Sequence, residues 1–396
     1  MASLAEQDLL ARRFAASVVR GMGGLLGMIP ADVSRLPDQQ TCTLALHLLD
    51  FALELDEAWP QARELLLRLS PQMEQAGHRD NWLPYLERAI GSGPARQDPL
   101  TAGEFAFYLG QLHELRSRFA EARNAFAQSA ASFALGQRPQ DAARAISRNA
   151  YVARLQRRFD EAEQLVAQAR LLAPDHRPIQ AACHLTLGTV AFDRREWAEA
   201  EAHLQQAAAL WEAEGDRRMI ALSLRNLGPA LHMQKRYEEA AACYHRALEI
   251  LHEIADPVNQ AVTQMNLGII RYLQGEFEEA LALYAKAEPI LRRVEDPLRL
   301  ASLLANQAMG YRKLARWDEA EECCRQAIAG WEALGNLRST LNALDTLIYI
   351  LRGQGRLAEA KTTHTTALER LQAMEAGATR DVLQAMLDEH LPYLEK

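Results

Sequence analysis

One pattern recurs at a period of 40 residues, and it constrains the fold more than any other feature. An aromatic residue or leucine, two mostly polar residues and an alanine appear as Phe119-Ala-Glu-Ala122, Phe159-Asp-Glu-Ala162, Trp197-Ala-Glu-Ala200 and Tyr237-Glu-Glu-Ala240. They return as Phe277-Glu-Glu-Ala280, Trp317-Asp-Glu-Ala320 and Leu357-Ala-Glu-Ala360. Every step is 40 residues except one of 38. A second series stands nine residues before each anchor: Gly110, Ala150, Gly188, Gly228, Gly268, Ala308 and Ile348. A third stands seven after each anchor alanine: Ser129, Ala169, Ala207, Ala247, Ala287, Ala327 and Ala367. Small residues at fixed places let two helices approach closely, with larger neighbours filling the gaps.

Each unit carries helical periodicity twice. Leu224, Leu227, Gly228 and Leu231 form one apolar stripe, and Tyr237, Ala240, Tyr244, Ala247, Leu248 and Leu251 form another. Gln234-Lys235-Arg236 is the turn between them. Asp98-Pro99, Asp256-Pro257 and Asp296-Pro297 mark helix starts, because aspartate suits the N-cap and proline the first turn. Strand signals are absent.

Helix–turn–helix units with this spacing of small residues resemble the tetratricopeptide repeat (TPR), whose usual period is about 34 residues. The longer period is similar to that of kinesin light chain, of Pins-type adaptors and of the sensor arrays of bacterial STAND ATPases. The resemblance implies an all-α, right-handed TPR superhelical solenoid of antiparallel helix pairs in one continuous array. Seven units span residues 98–376. Residues 1–57 form an N-terminal helical segment, and 58–97 a degenerate pair containing Ala62–Ala76 and Trp82–Ala89. Residues 377–396 form a C-terminal capping helix with Val382, Leu383, Met386, Leu387 and Leu391 on one stripe, as terminal repeats need.

The catalytic signatures are missing. There is no phosphate loop and no His-Glu-x-x-His, and Gly21-Met-Gly-Gly-Leu-Leu-Gly27 has the wrong spacing for a dinucleotide fingerprint. His245 and His252 stand seven apart with no further metal ligands. Cys324 takes the place of Tyr244 and Tyr284 and reads as core. No enzyme, metal or cofactor is expected. The net charge of −8 argues against nucleic acid, which needs a basic footprint. No apolar run is long enough for a membrane span, and five irregularly spaced cysteines fit a reducing, cytoplasmic setting.

In TPR proteins the first helix of each pair lines the concave face, and the resemblance implies that site here. Two residues before each small position stand Arg148, Thr186, Asn226, Asn266, Asn306 and Thr346. Asn226, Asn266 and Asn306 make a ladder whose amides match an extended peptide backbone. Bonding to a neighbouring helix or loop is the alternative. Arg144, Arg148, Tyr151 and Arg154 share one helix face, and Arg225, His232, Arg312 and Arg352 fall on inward positions later. A basic interior on an acidic chain would favour an acidic peptide. Pairing with glutamates of an adjoining repeat is the alternative for each arginine. Met265, Tyr272 and Tyr349 supply apolar contacts. Pro229 would free the Arg225 carbonyl beside this surface or simply kink the helix. The expected function is a non-enzymatic adaptor, scaffold or signalling regulator that binds a protein segment, with self-association open. The rival is a detached sensor of a small effector that acts on a separate ATPase, protease or transcription factor. The Val18–Pro30 stretch could also fill the groove as an autoinhibitory segment.

Overall fold

The computed structural model describes residues 4–29, 38–75, 79–93, 97–294 and 296–394. Pro30 and Ala76, the far ends of two stretches read from the sequence, lie outside them. The described residues hold no strand. Four helices come first: α1 Leu4–Met28, α2 Gln39–Ala52, α3 Trp59–Gln75 and α4 Arg79–Gly91. Helix pairs follow: α5 Pro99–Leu115 with α6 Phe119–Leu135, α7 Pro139–Leu155 with α8 Phe159–Leu172, and α9 Arg177–Asp193 with α10 Trp197–Glu214. Then come α11 Arg217–Met233 with α12 Tyr237–Glu253 and α13 Pro257–Gln274 with α14 Phe277–Arg293. The last are α15 Pro297–Lys313 with α16 Trp317–Ala333 and α17 Leu337–Gly353 with α18 Leu357–Gln372. Two short helices end the described chain, α19 Ala378–Asp388 and α20 Leu391–Leu394. The fold is all-α. The chain divides into two compact bodies, residues 1–216 and 217–396, with the boundary between α10 and α11.

The helix starts obey local chemistry. Asp98, Asp256 and Asp296 accept hydrogen bonds from backbone N–H groups of the first turn, at 3.0–3.2 Å. Asn336 caps α17 in the same way through Ser339 N–H, at 3.1 Å. The turn inside each pair is uniform. The residue two before each anchor is left-handed: Ser117, Arg157, Arg195, Lys235, Gly275, Ala315 and Gly355. The next N–H then bonds back across the end of the first helix, as Arg236 does to Leu231 O at 3.0 Å. Pro229 and Pro289 both sit inside unbroken helices.

Packing within each pair is size-matched. At the four glycines of the series, the residue sixteen places on lies against it. Gly110 faces Phe126, Gly188 faces Leu204, Gly228 faces Tyr244 and Gly268 faces Tyr284. Alanine at 150 and 308 shares a core with the smaller Val166 and Cys324. Tyr244 and Tyr284 are almost fully buried, each worth about 1.5–3 kcal/mol of burial.

In the first body, Val18, Met22 and Leu25 of α1 join Leu49, Leu65, Leu69 and Trp82 in one core. The apolar half of the Val18 stretch is thus core of the N-terminal helices rather than filling a groove. Trp82 Nε1 donates to Ser70 Oγ at 3.0 Å, and Ser70 donates to Leu66 O, which satisfies both buried groups. In the second body, Leu383 and Leu387 of α19 and Leu394 of α20 share a core with Ile348, Leu351 and Leu371.

Candidate functional site

Asn226, Asn266 and Asn306 stand on α11, α13 and α15, all first helices of the second body. Each is half-buried beside the buried small residue two places on. Among the described residues, none of the three side-chain amides hydrogen-bonds to the protein. Bonding to a neighbouring helix or loop, the structural alternative, is not what the geometry holds. Half-buried amides whose polar atoms still reach solvent can exchange water for an external donor and acceptor. The threonines at the equivalent sequence places behave differently. Thr346 and Thr186 turn their hydroxyls onto their own helices, to Asn342 O and Ala182 O, both at 3.1 Å.

A cleft of about 230 Å³ opens between α15 and α17 beside the third rung. Asn306, Met309 and Asn342 lie along it, and Trp331 and Cys324 of α16 form its floor. Asn342 and Trp331 were not singled out by sequence reasoning. Asn342 has no counterpart at the equivalent places, which hold Leu222, Val262 and Ser302.

The arginines of the first body are committed internally. Arg144 pairs with Glu104 at 2.8 Å and lies over the Phe107 ring at 4.3 Å. Arg148 pairs with Glu114 at 2.8 Å, and Arg154 with Asp193 at 2.6 Å. Tyr151 lies between Arg148 and Arg154, at 5.2 and 6.0 Å from their guanidinium carbons. These pairs bridge α5, α7 and α9. The basic stripe expected from the sequence is neutralised by carboxylates on the adjoining first helices, so it forms no open charge separation.

The remaining residues divide. Arg225 donates to Asn259 Oδ1 at 2.7 Å. Burial lowers the proton affinity of His232, which packs beside Tyr237. Met265 is a core residue, and Tyr272 packs on Phe277 at 5.4 Å. Arg312 lies 5.0 Å over the Tyr349 ring and, among the described residues, has no hydrogen-bond or ion-pair acceptor. Arg352 is covered. It donates to His390 Nδ1 at 2.9 Å and stacks on Tyr393 at 3.6 Å, while the fully buried His390 ring meets Asp345 Oδ1 through Nε2 at 2.8 Å. The Tyr349 ring packs on His390 at 4.4 Å. Sequence reasoning missed this closure because the 40-residue pattern has ended before residue 390.

Elsewhere, the cysteines are free thiols. Burial pushes Cys183 and Cys324 up to about 12 and Cys323 up to about 11, which disfavours the nucleophilic thiolate. A larger cleft of about 640 Å³ lies in the first body between α6, α7 and α8, and five alanines are among its lining residues. No helix among the described residues is long and apolar enough to cross a membrane.

Residues 180–253, 219–293 and 299–373 match the family model of the tetratricopeptide repeat. No curated protein matches the chain in sequence. Among solved structures, a STAND signal transduction ATPase with a tetratricopeptide repeat sensor, from Pyrococcus horikoshii, is similar at TM-score 0.60 and 14% identity. That match covers 90% of this chain and 55% of that protein, so the chain spans about half its length. Aspartyl phosphate phosphatase F from Bacillus subtilis is similar at TM-score 0.54 and 14% identity, covering 91% of this chain and 96% of that one. A Rap protein complexed with Competence and Sporulation Factor is similar at TM-score 0.53 and 14% identity, covering 87% and 99%. Identities this low establish a shared fold and nothing finer.

Proposed function

We propose that the chain is a non-enzymatic adaptor or regulator, and that α11, α13, α15 and α17 bind an extended segment of a partner protein. The observation that carries this reading is the ladder of three unpartnered asparagine amides at one register of consecutive first helices. Each rung offers a donor and an acceptor to a peptide main chain. The cleft floored by Trp331 takes one apolar side chain of the segment. Arg312 is the cation available to an acidic side chain, now that Arg144, Arg148 and Arg154 are neutralised. The Rap protein of similar fold was solved with a bound factor, which supports binding as a use of this architecture. Free thiols throughout are compatible with a cytoplasmic setting.

Replacing Asn226, Asn266 and Asn306 together by alanine tests the reading. At about 1 kcal/mol per lost hydrogen bond, affinity for a partner captured by the wild type should fall roughly 100-fold. Helicity and melting should not fall, since the amides bond nothing among the described residues and alanine favours the helix. An unaltered affinity would remove the ladder from the binding surface.

A further inference from the structure

A valley runs lengthwise between α15 and α17, and its chemistry changes along its length. Trp331 of α16 floors the cleft of about 230 Å³, with Ala305 and Ala343 on its two walls. A Cβ added at the neighbouring Gly330 would stand 3.0 Å from Ala301 Cβ, so Trp331 lies toward the N-terminal end of α15. Further along, Asn306 and Asn342 line the cleft from opposite helices. Arg312 and Tyr349 each follow a lining residue, Met309 and Thr346, by three places and so share its helix face. They meet where the Arg312 guanidinium carbon lies 5.0 Å from the Tyr349 ring.

Among the described residues, the carboxamides of Asn306 and Asn342 and the Arg312 guanidinium have no hydrogen-bond or ion-pair partner, and Arg312 Nε is buried as well. A cation partly withdrawn from water gains from a bound counter-charge. Asp345, four residues before Tyr349, is engaged by His390 at 2.8 Å, and Arg352 on the ring's other nitrogen balances its charge. The combination occurs once. The places of Asn342 and Arg312 hold Val262 and His232 beside Asn226, and Ser302 and Tyr272 beside Asn266.

We propose that this valley binds a small N-acylated amino acid lying lengthwise. Its carboxylate meets Arg312, its amide meets Asn306 and Asn342, and its acyl chain enters the cleft over Trp331. Each carboxamide offers the donor and the acceptor that an amide needs. At about 30 Å³ per water-sized group, the cleft holds roughly eight such groups, which sets the length of the chain. A plain fatty acid would take the two carboxamides out of water without replacing their bonds, and a neutral amide would leave the cation unmatched. A segment crossing from helix to helix meets the cleft or the cation with one side chain at a time, whereas a molecule lying along the valley meets both. The inference goes beyond segment binding. It makes the ligand a competitor at the third rung, and it leaves Asn226 and Asn266 untouched.

Isothermal titration of the full chain with N-octanoylglycine tests this without any partner protein, so its outcome is independent of the ladder test above. We expect saturable one-site binding with a dissociation constant on the order of 1 mM or below. Octanoate and N-octanoylglycinamide should each bind about 10-fold more weakly. Arg312→Gln should weaken N-octanoylglycine by about 10- to 100-fold, and Arg312→Lys, which keeps the charge and the apolar stem, should retain part of the affinity. Asn306→Ala with Asn342→Ala should remove the preference for N-octanoylglycine over octanoate. The proposal is overturned by no saturable binding at roughly 5 mM, several times the expected constant. Equal binding of N-octanoylglycinamide, or unaltered affinity in folded Arg312→Gln, overturns it too. An acetylated pentapeptide ending in glycine that binds as tightly as N-octanoylglycine would assign the valley to a protein C-terminus instead.

Discussion

Six of the seven helix pairs are built around one small residue and one larger residue sixteen places on, Ile348 being the exception. A Cβ added at Gly228 would stand 2.2 Å from the Tyr244 ring, and one at Gly268 would stand 2.4 Å from the Tyr284 ring. Both rings are buried and rigid, so the helices themselves would have to part. Gly228→Ala should therefore cost about 1–3 kcal/mol, read from the chemical denaturation midpoint. Adding Tyr244→Cys reproduces the Ala308–Cys324 pairing and should recover part of that loss. A double variant as unstable as the sum of its single changes would show that the match is incidental. The small positions were legible in the sequence. Tyr244, Tyr284 and Cys324 were read as equivalent core places, but not as the residues that pack on the small positions, because the side chains there vary from Phe to Cys. The turns were placed by the sequence, but their left-handed residue was not, since five of the seven such positions hold Ser, Arg, Lys or Ala rather than glycine.

Helix-to-helix contacts show where polar residues replace apolar ones. His184 of α9 and His203 of α10 face each other, Nδ1 to Nδ1, at 3.0 Å. The same two places hold Ile146 with Leu165 and Leu304 with Cys323 in other pairs. One imidazole must donate and the other accept, so two charged rings cannot keep the contact. Burial first, then the neighbouring His203 and Arg170, pushes His184 down to about 4 from an ordinary 6.5. Burial also lowers His203. Below 6.5 the unfolded chain takes up protons that the folded pair resists. Stability present above pH 6.5 is therefore lost as the pH falls toward 4. His184→Leu should flatten the drop in melting temperature between about pH 7 and pH 5. An equally steep drop in that variant would place the acid sensitivity elsewhere.

At the scale of the molecule, a stack of pairs has to end, and the second body ends on α19 and α20. Leu383, Leu387 and Leu394 cover the apolar side of α17 and α18, and His390 is held between Asp345 and Arg352. Removing residues 378–396 should expose that side and destabilise the last pair by several kcal/mol, about the cost of emptying two or three buried leucine sites. Hydrogen exchange should rise in α17 and α18 while α11 and α12 change little, because each pair in such a stack leans mainly on its neighbours. A uniform rise through the second body would instead show that it opens as one cooperative unit.

The period, the paired helices, their aspartate caps and the small positions between them were determined by the sequence alone. These depend on spacings of three, four and seven residues, which helix geometry turns directly into faces. What the candidate site residues touch follows from how neighbouring helices pack. The sequence placed Arg148 and Arg312 on comparable inward positions. One is neutralised by Glu114, 34 residues away, and the other lies over Tyr349 without an acceptor. The asparagine ladder was legible as a register, but the freedom of its amides was not. The covering of Arg352 by His390 and Tyr393 was invisible for the same reason. Contacts between groups 34–41 residues apart depend on which rotamers meet across neighbouring helices, and no local periodicity encodes that meeting.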